Sequence, residues 1–124
     1  MVNHQTVDES ATHLSAEDLA ALRENLHEQR LFRQEQLRLL AGPVTSRTED
    51  RLRKRTAAQI EVRVKLAASA RMVLSDVEAA LTRMNEGSYG PCHLCRCPIE
   101  RERLMIVPQA RYCARCQQVK EAQP

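Results

Sequence analysis

Two Cys-x-x-Cys pairs near the C-terminus constrain this chain more than any other feature: Cys92-His-Leu-Cys95 and Cys113-Ala-Arg-Cys116, seventeen residues apart. A turn of that length brings two thiolates onto one cation, and a second such turn completes a tetrahedron of sulfur. The spacing falls in the range of four-cysteine zinc sites. Zn2+ suits soft thiolates, and a closed four-sulfur shell leaves no position for water or substrate. The expected metal ligands are therefore Cys92, Cys95, Cys113 and Cys116, in a structural rather than a catalytic role. Two disulfides would need an oxidising compartment, and the polar run from Met1 to Ser10 lacks the apolar core of a secretory signal. A redox Cys-x-x-Cys would sit near a strand–helix–strand pattern, and none is visible. Four cysteines also suit an iron–sulfur cluster, but the short paired knuckles favour zinc.

Five cysteines leave one over. Cys97 lies just past Cys95 and competes with it as a ligand on spacing alone, and His93 is also within reach. Both are expected to be bystanders, because two paired turns already satisfy the tetrahedron.

Aromatic residues are scarce: one Phe, two Tyr and no Trp. That argues against a large globular core, and against single-strand nucleic-acid folds that stack bases on aromatic platforms. Ala, Leu, Glu and Arg dominate the middle of the chain, a composition of long helices or a coiled coil. The formal net charge of +3 is mild. No apolar stretch approaches the roughly 18 residues of a membrane span. A cytoplasmic monomer with no membrane association is expected.

Residues 1–14 carry no periodicity and read as a loose tail. Ser15 caps a helix with Glu17 and Asp18 in its first turn, and Leu14 and Leu19 are placed as a hydrophobic staple. Gly42-Pro43 stops that helix after Ala41. Ser46 and Glu49 form a capping box for a second helix, which meets no Gly or Pro until Gly87. That gives about 38 helical residues, roughly 57 Å. The fold class that follows is all-α: an antiparallel coiled-coil hairpin over residues 15–86, turning near 42–48, then a small four-cysteine zinc module over 87–124 that ends in a short helix.

Folding the chain back about residue 46 pairs the two helices. Leu40 then meets Leu52, Leu26 meets Leu66, Leu22 meets Ala70 and Leu19 meets Val73. Gln36 meets Thr56, Arg33 meets Gln59 and Gln29 meets Arg63. The middle of the seam is polar and its two ends are apolar. Arg33 and Arg63 need carboxylates, and Glu28, Glu35 and Glu61 are candidates by spacing. Phe32, Ile60, Val62 and Val64 lie off this seam; either it rotates locally to bury them or they form an exposed patch for a partner. Val73, Leu74, Val77, Ala80, Leu81 and Met84 are placed to pack on the zinc module, whose own apolar residues are Ile99, Leu104, Met105, Ile106 and Val107. So small a module depends on metal to fold, and losing the metal is expected to leave the hairpin largely helical.

The run Met84-Asn-Glu-Gly87-Ser-Tyr89-Gly90-Pro-Cys92-His-Leu-Cys95 strongly resembles the start of the DksA/TraR family zinc finger. Pro98-Ile99, Arg103-Leu104, Pro108 and Cys113-Ala-Arg-Cys116 continue the likeness. It covers residues 80–118, and the hairpin matches the longer family members in fold. The resemblance implies direct binding to bacterial RNA polymerase, the coiled coil entering the secondary channel while the globular end grips its rim. It also implies effects on initiation, often together with the alarmone ppGpp. Two departures stand out. The family usually has Gly after the second Cys, where this chain has Arg96 and then Cys97, and Gly tolerates backbone angles that Arg does not. The acidic Asp-x-x-Asp-x-Ala tip of active members is missing: here Glu49 and Asp50 sit among Arg47, Arg51, Arg53, Lys54 and Arg55.

The expected function is therefore a transcription regulator that binds RNA polymerase without the acidic tip. One alternative is a nucleic-acid-binding zinc protein whose basic tip residues meet nucleic-acid or nucleotide phosphates. Another is an interaction module that has the fold and no polymerase role. The Arg-rich stretch 51–55 is the only support for the nucleic-acid reading, and a solvated helix face explains it equally well. An enzyme is not expected: the metal shell is closed, and His4, His13, His27 and His93 are scattered with no nucleophile-and-base grouping.

Overall fold

The computed structural model describes residues 13–41 and 56–123. Four helices carry them: α1 (Ala16–Ala41), α2 (Ala57–Glu86), α3 (Arg101–Ile106) and α4 (Ala114–Ala122). Among the described residues the extended pairing is one isolated antiparallel bridge between Pro91 and Pro98.

The start of α1 follows the local chemistry of its sequence. Ser15 Oγ accepts the Asp18 N–H at 2.9 Å, and Asp18 reaches back to accept the Ser15 N–H at 3.1 Å. This reciprocal cap satisfies two amides that a helix end would leave open. Leu14 is buried and Leu19 packs on the same core, as a staple requires. The helix is described as far as Ala41.

The second helix differs from expectation. Thr56 is extended (φ −74°, ψ 161°) and caps a helix of 30 residues in place of the expected 38 or so. Its hydroxyl accepts the Gln59 N–H at 3.2 Å, and the Gln59 side chain accepts the Thr56 N–H at 3.0 Å. Thr-x-x-Gln is itself a capping box, and a threonine that bonds its own backbone competes with the helix interior. The expected Ser46–Glu49 box, the Gly42-Pro43 turn, Leu52 and the basic tip residues Arg47, Arg51, Arg53, Lys54 and Arg55 lie outside the described residues.

The two helices run antiparallel, but not in the expected register. The Arg63 guanidinium donates to the Leu40 carbonyl, and Arg23 Nη1 donates to Asn85 Oδ1 at 2.9 Å. Leu40 thus lies opposite Arg63 rather than Leu52. Leu26 shares the core with Val77, while Leu66 is 46% exposed. The displacement is about eleven residues, close to three turns at 3.6 residues each. Such a slip returns nearly the same helix face to the seam, so apolar spacing could not exclude it. Two of the three expected partners of Arg33 and Arg63 are engaged elsewhere: Glu35 pairs with Arg38 and Glu61 with Lys65. Arg33 instead donates to Gln36 Oε1 at 2.9 Å, and its buried Nε has no partner among the described residues. The seam does not rotate to cover the apolar residues beside it; Phe32 is 61% and Val64 60% exposed.

The core sits at the base. Leu22 and Leu26 from α1 meet Val77, Ala80 and Leu81 from α2, and the same cluster continues into Tyr89, Ile99, Leu104 and Cys113. Hairpin and C-terminal module therefore share one core, and the expectation of a hairpin that stands without its module is not supported by this packing. Of the module's expected apolar residues, Ile106 is left exposed.

This packing separates two leucines that the expected register had paired. Leu26→Ala should cost about 2–5 kcal/mol, the range for a fully buried leucine, while Leu66→Ala should cost under about 1 kcal/mol. Equilibrium denaturation of both variants checks this; equal costs would restore the original register.

Candidate metal centre

The end of α2 sets up the first knuckle. Gly87 adopts φ 78°, and its N–H and that of Ser88 close back on the Met84 and Arg83 carbonyls. A left-handed residue at this position is the usual device for ending a helix and turning the chain. Two residues on, Tyr89 is buried and donates its hydroxyl to the Pro108 carbonyl at 2.8 Å. Burial pushes this phenol up to about 12, so it stays a neutral donor.

Beyond Tyr89 the chain makes a narrow loop. Ile99 N–H donates to Gly90 O at 2.9 Å and Cys92 N–H to Cys97 O at 2.7 Å, with the Pro91–Pro98 bridge between them. At its turn Arg96 N–H closes on Cys92 O at 3.0 Å, and the Leu94 N–H lies 3.4 Å from Cys92 Sγ. The second knuckle is built differently. Cys113 is the N-cap of α4, its sulfur accepting the Cys116 N–H at 3.4 Å. A helix N-terminus favours the thiolate placed there.

These two devices bring Cys92, Cys95, Cys113 and Cys116 together, all four sulfurs lying within 4.8 Å of one another. The Cys95 and Cys113 sulfurs are 3.9 Å apart. A tetrahedron with 2.3 Å metal–sulfur arms has edges of about 3.8 Å, so a Zn2+ ion fits the set. The charge balance agrees. Burial works against the Cys92 thiolate, but the amide N–H groups around its sulfur outweigh that and hold the thiol below its ordinary value. Burial, then hydrogen bonding with the sulfurs of Cys113, Cys92 and Cys95, pushes Cys116 above its own. Neighbouring thiols do not all ionise unaided in so small a space; a dication supplies the missing charge.

Cys97 and His93 stand outside the cluster. Cys97 is exposed and contributes its carbonyl to the knuckle. The His93 ring sits edge-on to Tyr112 at 6.1 Å. Other features of the module were not legible beforehand. Helix α3, six residues long, is too short to show a period. Arg101 grips the α1 cap residue Asp18 through two hydrogen bonds, of 2.9 and 3.0 Å, tying α3 to the start of the hairpin. That bidentate contact holds the Asp18 carboxyl well below its usual range. Arg111 reaches Asp76 on α2 at 3.0 Å. No spacing rule links residues so far apart in sequence.

A helical hairpin whose base is closed by a four-cysteine cluster defines a class: C4 zinc-finger proteins with a coiled-coil arm. Residues 87–122 match the profile of the prokaryotic dksA/traR C4-type zinc finger. The structure superposes on that of transcription factor DksA2 from Pseudomonas aeruginosa with a TM-score of 0.61 and 24% identity, over 86% of this chain and 85% of that one. A protein of Aquifex aeolicus (strain VF5) is 40% identical over 43 residues, which are 35% of this chain and 30% of that protein's length. Residues 87–122 thus match a dksA/traR C4-type zinc finger, and the fold that carries them is similar to that of DksA2.

Arg96, where the family resemblance leads one to expect glycine, adopts φ 67°. A side chain in this left-handed region costs roughly 1–2 kcal/mol. Arg96→Gly should therefore raise the stability of the metal-loaded protein by about 1 kcal/mol. A β-branched replacement, Arg96→Val, should lower it. Denaturation midpoints for the three proteins test the ordering.

Proposed function

We propose that this protein is a transcription regulator that binds bacterial RNA polymerase directly. The finger and the foot of the hairpin serve as the gripping base, and the helical arm enters the secondary channel. One observation carries this reading: a finger matched in sequence to the dksA/traR type stands on a hairpin with the fold of a transcription factor, DksA2. The chemistry is consistent with a regulator. A closed four-sulfur site holds structure and offers no open coordination position. We assign Cys92, Cys95, Cys113 and Cys116 as the zinc ligands and treat residues 87–124 as the metal-dependent module.

The tip sets this chain apart. Arg47, Arg51, Arg53, Lys54 and Arg55 outnumber Glu49 and Asp50 in the segment that joins the helices. Cations carried towards a catalytic magnesium are repelled by it and drawn to phosphates, the reverse of what carboxylates would do. Binding through the base combined with an altered output on transcription is the expected behaviour.

The test is a polymerase binding assay in competition with a known secondary-channel factor, run beside elemental analysis. One zinc per chain, displacement by the competitor, and loss of both zinc and binding in Cys113→Ser but not in Cys97→Ser are expected. A zinc-loaded, helical protein that does not bind polymerase would overturn the reading. Full zinc content in Cys113→Ser would overturn the ligand assignment.

A further inference from the structure

Away from its base the hairpin leaves an apolar groove open between its two helices. Leu37, Leu40 and Ala41 of α1 form one wall; Ile60, Val64 and Ala67 of α2 form the other, around about 260 Å³. Ile60, Val64, Ala67 and Arg71 recur at i, i+4, i+7 and i+11, so they share one helix face about three turns long. This is the arrangement expected of a buried stripe, yet Ile60 is 49% exposed and Val64 60%. The core at the base does not reach them: α1 has no buried residue beyond Leu26 among those described, and α2 none between Thr56 and Ala70.

Among the described residues that line the groove, the charges have one sign. Its lining includes two ionisable residues, Arg63 and Arg71, and both are cationic. Arg63 spends one nitrogen on the Leu40 carbonyl. Among the described residues neither arginine is in an ion pair, while nearby Glu35 and Glu61 are held by Arg38 and Lys65. A second copy of this chain would set arginine against arginine across a two-fold axis, which disfavours self-association. An apolar trough with an arginine at its base-proximal end and another on its side calls for a helix with an apolar stripe flanked by carboxylates, docked as in helix-in-groove recognition.

We propose that this groove docks an acidic amphipathic helix, and, resting on the functional reading above, that RNA polymerase supplies it. The arm then binds by its side, through apolar contact and arginine–carboxylate pairing, as well as by its base. Such a contact removes the exposed apolar surface that the free protein leaves open.

The experiment measures binding of purified bacterial RNA polymerase to the full-length zinc-loaded protein and to single variants. Val64→Glu and Ile60→Glu place a carboxylate in the trough at half-exposed positions that the fold does not bury. Each should weaken binding at least about tenfold, with zinc content and helical circular dichroism unchanged. Arg71→Glu should weaken it several-fold and flatten its salt dependence. Met72→Glu, an equally drastic change at a site 69% exposed and outside the groove lining, should bind as the wild type does. Wild-type binding with equally tight binding by Val64→Glu and Ile60→Glu overturns the groove and leaves the polymerase reading standing. Equal weakening by Met72→Glu overturns the localisation to this groove. Failure of the wild type itself to bind refutes the polymerase reading and this inference with it.

Discussion

One core holds both halves of the molecule. Leu22 and Leu26 of the first helix are sealed by Val77, Ala80 and Leu81 of the second, and that cluster runs on into Tyr89, Ile99, Leu104 and the cysteine knuckles. At roughly 1.5–3 kcal/mol for each large apolar side chain buried, these few contacts dominate what a chain of this size has available. The finger supplies much of that surface, and a finger this small keeps its shape only when its sulfurs are held together. The metal site is therefore structural for the arm as well as for the module. Arg101 on Asp18 and Arg111 on Asp76 reinforce the joint with charged contacts from the finger to each long helix.

The remainder of the arm is held by different means. Above the core the described interface contains Ala70, a guanidinium reaching a carbonyl across the gap, and an arginine whose Nε is buried and unpaired. Capping boxes at Ser15 and Thr56 stiffen the helix starts locally. Stability is thus concentrated at the base, while the upper arm keeps apolar side chains on its surface. The foot of the hairpin is thus the well-packed part, and the upper arm the part with few buried contacts.

Features encoded over a few residues were legible in the sequence. The two Cys-x-x-Cys turns identified the four clustered sulfurs, and Ser15 with Asp18 marked the first helix start. The unusual Arg96 after Cys95 flagged the one described non-glycine residue with a positive φ. Long-range relations were not legible. An eleven-residue slip leaves the helical face almost unchanged, so Leu26 was paired with Leu66 when it packs with Val77. Thr56 and Gln59 carried the same capping signature as Ser46 and Glu49, and position alone did not rank them. The shared core was partly visible, since the foot of α2 was expected to meet the finger. The contribution of Leu22 and Leu26 to that meeting depended on the register.

The most direct test of this account is amide hydrogen exchange with and without a zinc chelator, read at residues 22–26 and 77–81. If hairpin and finger share one metal-dependent core, removing zinc should collapse protection in these helical segments together with that of the finger, in a single cooperative step. Protection that persists at Leu22, Leu26 and Val77 after the finger has lost its metal and its own protection would contradict the account, and would mean the hairpin stands alone.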